Sequence, residues 1–259
     1  MIVLKTLELP LSDGNKKEIV MGIPESDEEK KDMFRFRYDN YLRHGYISSD
    51  ILKDGLDRDE YDLKNKCIYF IAKVENKIIG TVRLIIDDPL PTEKDCFSFA
   101  EPKEMKKIDR SKRAELSRLI VEDYLPEKHF PRHFIMLGLL FCVTEYSKKH
   151  GLQAGYGFIK DKLKKKLERI KVPIHFIKKF KQIYNSEILR GYFNDKSNPV
   201  WPIFYFADEV FIYLRIIINS YFVFKDGIYC YREPGIGIKF LLVIRVYFLK
   251  IYLCLRHIY

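Results

Sequence analysis

Cys67-Ile-Tyr-Phe-Ile-Ala-Lys-Val74, the break Glu75-Asn76, and Lys77-Ile-Ile-Gly-Thr-Val-Arg-Leu-Ile-Ile86 form the stretch that sets the fold class. Two runs rich in β-branched and aromatic residues flank a two-residue turn, which predicts a β-hairpin. Asp87-Asp88-Pro89 ends the second run, since proline cannot donate to a ladder. Gly80 inside that run marks a bulge.

Outward from the hairpin, the chain alternates between strand and helix patterns. Upstream, Ser26-Asp27-Glu28-Glu29 reads as a helix start with acids in the first turn, and the helix runs through Phe34, Tyr38 and Tyr41 to Gly45. Residues 48–66 read as a charged loop, and residues 1–27 as polar with a turn at Asp13-Gly14-Asn15. Downstream, a long connection carries Pro89, Pro91 and Pro102 before a third strand at 114–122. Residues 131–150 have helical apolar spacing closed by Gly151. A short strand at 155–159 and a basic helix at 161–171 follow. A hairpin leading into strand–helix alternation predicts an α/β layered domain.

Composition narrows the class. Of 259 residues, 47% are hydrophobic and 32% charged, which excludes a disordered chain. Aromatic residues at 15% suit either an aromatic-rich core or the lining of an apolar cavity. The net charge of +10 attracts acidic partners. With no zinc-finger spacing and no RNA-binding strand motif, acidic protein and membrane surface stand ahead of nucleic acid. Cysteines 67, 96, 142, 230 and 254 are scattered and never spaced C-x-x-C, so they read as buried thiols in a reducing compartment. Met1 to Pro10 is too short and polar for a signal peptide, and no run of about 18 uninterrupted apolar residues predicts a membrane span. The expected location is cytoplasmic, with the inner-membrane surface as an alternative. No metal site is expected.

Chemistry concentrates in Glu115-Leu-Ser-Arg118-Leu-Ile-Val121. Strand alternation puts Glu115 and Ser117 on one face and Arg118 on the other. An arginine among Leu116, Leu119, Ile120 and Val121 is a buried one, and needs a carboxylate partner. Upstream stand Arg37-x-x-x-Tyr41, Gly45-Tyr46 and Asp59-Glu60-Tyr61-Asp62. Acids three apart in a helical turn share a side and suit an amine; the alternative is a solvated acidic loop.

In order, Arg-x-x-x-aromatic, Gly-aromatic, Asp-x-x-Asp, Gly80-x-x-Arg83 and Glu115-x-Ser-Arg118 resemble the acyl-homoserine-lactone synthase pattern of the GNAT superfamily. They resemble still more the related N-acyl amino acid synthases and exosortase-associated acyltransferases, over roughly residues 30–205. The resemblance implies a GNAT-like fold, with a central mixed, mostly antiparallel sheet flanked by helices. It implies attack of an amine on a fatty acyl thioester. Arg37, Asp59, Asp62, Arg83, Glu115 and Arg118 match the family's charged core. Tyr41 and Tyr46 stand where lactone synthases usually have Phe and Trp, which argues against S-adenosylmethionine as the amine donor and leaves lactone synthesis as an alternative.

On this reading Glu115 is the general base, beside Ser117 and Arg118. Arg83 and Arg118 hold the carboxylates in register, and strand amides at a bulge receive the oxyanion. Asp59 and Asp62, with Arg37, Tyr41 and Tyr46, bind the amine or order its lid. Where a GNAT enzyme carries its glycine-rich pyrophosphate loop, this chain reads Glu122-Asp-Tyr-Leu-Pro-Glu127, without glycine and with acids. No cofactor is expected beyond the thioester cosubstrate, acyl carrier protein or acyl-CoA. Acyl carrier protein fits better, docking on the lysine-rich stretch 148–181. An acetyl-CoA-dependent acetyltransferase and an inactive carrier- or membrane-binding module are the other readings.

Composition changes again near residue 208. The expected division is a catalytic domain over 1–207 and an apolar, basic appendage over 208–259. Lys239, Arg245, Lys250 and Arg256 recur every five or six residues, a spacing that does not keep all four on one helical face. Two expectations follow for this segment: peripheral contact with a membrane surface, or completion of the hydrophobic core.

Overall fold

The computed structural model describes residues 1–10, 15–122, 132–184 and 186–256. The strands are β1 (Ile2–Pro10), β2 (Lys16–Ile23), β3 (Cys67–Val74), β4 (Lys77–Ile85), β5 (Phe97–Phe99), β6 (Arg113–Val121), β7 (Ala154–Lys160), β8 (His175–Phe176), β9 (Phe180–Gln182), β10 (Val200–Phe206), β11 (Phe222–Lys225) and β12 (Ile228–Tyr231). The helices are α1 (Asp27–Arg43), α2 (Glu60–Leu63), α3 (Lys103–Lys106), α4 (Arg132–Lys149), α5 (Asp161–Arg169), α6 (Arg190–Asn194), α7 (Ala207–Tyr221) and α8 (Ile236–Arg256). Among the described residues, ten strands form one sheet in the order β11-β12-β1-β2-β3-β4-β6-β7-β10-β8. β6–β7 and β1–β12 are parallel pairs and the other neighbours run antiparallel.

The hairpin forms as the sequence predicts, with Glu75 and Asn76 at positive φ. Gly80 sits beside a register shift in that hairpin, and a Cβ there would lie 3.1 Å from Leu139 of α4. The absent side chain lets the helix settle on the sheet. α1 starts at Ser26, whose Oγ accepts the Glu29 amide at 3.1 Å and satisfies one open N–H. α1 covers one face of the sheet with Met33, Phe36 and Tyr41; α4 and α7 cover the other with Ile135, Leu139, Tyr213 and Leu214.

Two parts of the sequence reading change. Residues 2–10 and 16–23 are paired strands, not merely a polar segment; the expected turn at 13–15 falls mostly outside the described residues. Val200–Phe206, where the sequence carries no clear strand signal, pairs with β7 along seven residues. The 207/208 boundary falls where β10 passes directly into α7, which buries Val210, Tyr213, Leu214, Ile217 and Ile218 against the α4 side. β12 then adds to the edge of β1. The C-terminal segment is thus two helices separated by a short hairpin. No described helix is long and apolar enough to cross a membrane.

Candidate active site

Three arginines from three elements converge on one group of aspartates. Arg37 of α1 is wholly buried; its Nε donates to Asp57 Oδ2 at 2.7 Å and its Nη2 to Asp62 Oδ2 at 3.2 Å. Arg83 of β4 donates through Nε to Ser117 Oγ at 2.9 Å, and through Nη1 to Asp59 Oδ1 and Asp62 Oδ2, each at 2.8 Å. Its Nη2 reaches Asp59 Oδ2 at 2.8 Å. Arg118 of β6 donates through Nε to Asp57 Oδ2 at 2.8 Å and through Nη2 to Asp59 Oδ2 at 3.3 Å. Three guanidiniums face three carboxylates, so the buried charges cancel through charge-assisted hydrogen bonds. Asp59 and Asp62 also close a capping box on α2, which fixes the loop before β3. Burial alone would raise the Asp57 carboxyl, but Arg118 and Arg37 outweigh it and hold it well below the usual range. Asp62 is likewise lowered against burial by Arg37 and Arg83.

Simple alternation would turn Arg118 away from Glu115 and Ser117, and the structure corrects that reading. Ser117 pairs with Arg83 and Ile120 with Thr81, so Arg118 and Leu119 together oppose Val82. This is a β-bulge, with Arg118 at φ 53°. The extra residue swings Arg118 to the side that holds Asp57 and Asp59.

The bulge stands where the sheet opens. β6 and β7 pair from Arg113–Ala154 to Leu116–Gly157 and no further. Beyond that point a cavity of about 310 Å³ lies between them, lined by Tyr41, Tyr46, Leu119, Phe158, Lys162 and Tyr192 among others. A second cavity, about 530 Å³, is lined by Asp59, Tyr61, Arg83, Glu115 and Lys94. Ser117, Arg118, Phe158 and Leu189 belong to both.

Glu115 is 1% exposed. Its Oε2 accepts the Thr92 amide at 2.7 Å, from a π-helical turn at Thr92–Cys96, while its Oε1 is buried with no hydrogen-bond partner. Burial pushes its pKa up to about 7, against the lowering pull of the Thr92 bond and Arg83. A carboxyl at that value is half ionised near neutrality and suits proton transfer.

Of the residues singled out in the sequence, Glu115, Ser117, Arg118, Arg83 and Asp59 line the second cavity, and Tyr41 and Tyr46 the first. Tyr41 lies under Arg118 and meets Tyr46 edge-on at 5.8 Å. Arg37 and Asp62 line neither cavity and act from behind, on Asp57 and Arg83. Asp57 escaped the sequence reading although two of the arginines close on it. Its signal was arithmetic: three buried arginines need more carboxylate than Asp59 and Asp62 supply. Cys96 lines the second cavity, and burial raises its thiol, which disfavours the thiolate there. Among the described residues no group of three or more His, Cys, Asp or Glu is placed to hold a metal. The glycine-free segment after Glu122 lies outside the described residues.

Residues 32–164 match the family model described as N-acyl amino acid synthase FeeM. The chain belongs to that family. Membership makes it an acyltransferase, and the match runs from α1 through β7 into α5, spanning the arginine cluster, the bulge and Glu115. Curated protein sequences gave no match. Among solved structures, the acyl-homoserine-lactone synthase LasI is similar at 14% identity and TM-score 0.51, covering 74% of this chain and 91% of its own. The CoA-dependent acyl-homoserine lactone synthase BjaI, solved with SAM and isopentyl-CoA, is similar at 13% identity and TM-score 0.52, over 83% of this chain and 90% of its own. At such identities the likeness establishes the fold, which this family member shares with the two lactone synthases.

Proposed function

We propose that the enzyme transfers a fatty acyl group from a carrier thioester in the β6–β7 cleft to the amino group of a small amino acid in the Glu115 cavity. The observation that carries this reading is the meeting of the two cavities at Ser117–Arg118, with Glu115 on the acceptor side. The acceptor wall mixes acids (Asp59, Glu60, Asp95, Glu115) with cations (Arg83, Lys94, Arg118), which suits a zwitterion carrying both ammonium and carboxylate.

The bound ammonium first gives up one proton to solvent; Glu115, ionised, then takes a second from the amine, directly or through one water, as nitrogen bonds to the thioester carbon. The oxyanion is received by backbone N–H at the Arg118–Leu119 bulge, where two residues face one and a ladder position is left over. Collapse breaks the C–S bond, and the proton held by Glu115 returns to the leaving thiolate. Arg37, Asp57 and Asp62 position Arg83 and Arg118.

For the donor, we favour acyl carrier protein. The lysine-rich stretch divides by location. Lys160 and Lys162 line the donor cleft. Lys148 pairs with Asp208 at 3.3 Å, and Lys164 lies over Trp201 at 4.5 Å. The docking surface is therefore the cleft mouth around Lys162 rather than the whole run. The test is mass spectrometry of reactions containing the full chain, acyl carrier protein or CoA loaded with a long acyl group, and a panel of amino acids. An N-acyl amino acid formed from the carrier-bound donor is the expected product. Absence of any amide product from either donor overturns the reading.

A further inference from the structure

A third cavity, about 950 Å³, lies on the α4–α7 side of the sheet, roofed by α8. It shares no lining residue with either cavity of the candidate active site. Its walls are apolar: Phe134 and Leu137 from α4, Tyr213 and Ile217 from α7, Leu242 and Val246 from α8. The one polar atom of Tyr213 is already engaged, since its hydroxyl donates to the Ile170 carbonyl at 2.5 Å. Charge enters only with one sign. Lys166, Arg169 and Lys171 contribute from the end of α5 and just beyond, with His133 across from them, and the described lining carries no carboxylate. A smaller cavity of about 520 Å³ runs on beneath α8 and shares Lys171, Tyr213 and Val246; Glu168 and the buried Glu209 line that extension, so the wholly basic rim belongs to the larger cavity.

Pockets of roughly 300–1,000 Å³ with apolar walls and a few placed polar groups are ordinary ligand sites. Here the walls select a hydrocarbon chain and the basic rim selects a negative head. We propose that this cavity is a binding site for a single-chain anionic amphiphile, a long-chain carboxylate held with its tail between α4, α7 and α8 and its head at Arg169 and Lys171. The site uses the two helices that follow β10 and stands apart from the transfer reaction. A free fatty acid and an N-acyl amino acid present the same chemistry.

Calorimetric titration of the full chain, below micelle concentrations, tests the site with decanoate, dodecanoate, N-dodecanoylglycine and dodecyltrimethylammonium. One saturable site per chain is expected for the anions, tightening roughly fourfold per added methylene, as burial of each CH₂ requires. The cation should fail to bind. R169E/K171E should weaken binding at least about tenfold through surface charges that folding does not need. V246W, checked by its melting curve, should abolish it by filling the space. E115Q should bind as the parent does, which separates this site from the transfer reaction. Preference for N-dodecanoylglycine over dodecanoate assigns the site to a product-like ligand, the reverse to a free fatty acid, and either supports the class. Equal binding of the cation, no dependence on chain length, unchanged affinity in R169E/K171E, or loss in E115Q overturns it.

Discussion

Glu115 holds a carboxyl group where ionisation is disfavoured, and that makes its protonation state an experimental handle. Its folded pKa of about 7 lies above the unfolded value of 4.5. The folded chain therefore binds more protons between those limits, and this residue's contribution to stability is full below 4.5 and lost as pH rises through 7. Activity runs the other way, because the base must be ionised: kcat/KM should climb with pH through about 7 and then level. Glu115→Gln keeps shape and burial but cannot accept the proton, so it should fold and lose about 10²–10⁴-fold in turnover, with the rise near pH 7 gone. An unaltered rate and pH profile in that variant removes Glu115 from the base role. Asp57 predicts an opposite pH dependence. Its lowered pKa stabilises the fold above the unfolded value of 3.8, and that support is lost as pH falls toward the folded value. Asp57→Ala leaves Arg37 and Arg118 short of their shared partner and should destabilise by about 3–5 kcal/mol, read by denaturant melts. A loss below 1 kcal/mol would show that Asp59 and Asp62 suffice.

At the scale of elements, legibility tracked how local the signal was. The β3–β4 hairpin and α1 were readable because turn residues, a cap and periodicity lie within a few positions of each other. β1 was not, because Lys5 interrupts its inward row with a charge. That charge is answered far away, by Glu145 at 2.6 Å and the face of Phe141 at 4.3 Å. Leu7 and Leu9, with Ile19 and Met21 on the paired strand β2, carry the alternation. The bulge was equally hidden: nothing in Glu-Leu-Ser-Arg states that two residues will oppose Val82, and only pairing with β4 reveals it. Hence most of the charged residues that meet around the candidate site were legible, while the side to which Arg118 points and the place of Asp57 between two arginines were not. α7 sets the element-scale prediction. Leu214 is wholly buried among core residues, so Leu214→Ala should lower stability by about 2–5 kcal/mol. A chain ending after Phe206 should then fail to give a cooperative melt, since it exposes the α4 face that α7 covers. A soluble, folded and active truncation would instead make the segment from 208 onward a dispensable appendage.

For the whole molecule, the relevant quantity is a net charge of +10 carried by a chain whose central ion cluster is neutral in sum. The excess therefore acts outward, on partners. Exposed Lys162 stands on the wall of the β6–β7 cleft, and its amide is tied to Asn198 Oδ1 at 2.9 Å, which fixes the start of α5 at the cleft mouth. A protein of opposite charge approaching that mouth is steered by the summed field, and steering falls as salt shortens the screening length, from about 10 Å at 0.1 M to about 3 Å at 1 M. With an acyl carrier protein donor, kcat/KM should therefore drop by about tenfold or more as salt rises from low to molar, chiefly through KM, while kcat at saturation stays level. Lys162→Glu reverses one charge at the mouth and should raise KM for the carrier while flattening its salt dependence. The same variant with acyl-CoA controls for damage to the cleft itself, because a loss of kcat there would mean that Lys162 shapes the site rather than the encounter. Equal efficiency with acyl-CoA at every ionic strength, and no salt effect with the carrier, would leave the basic surface without a part in donor selection.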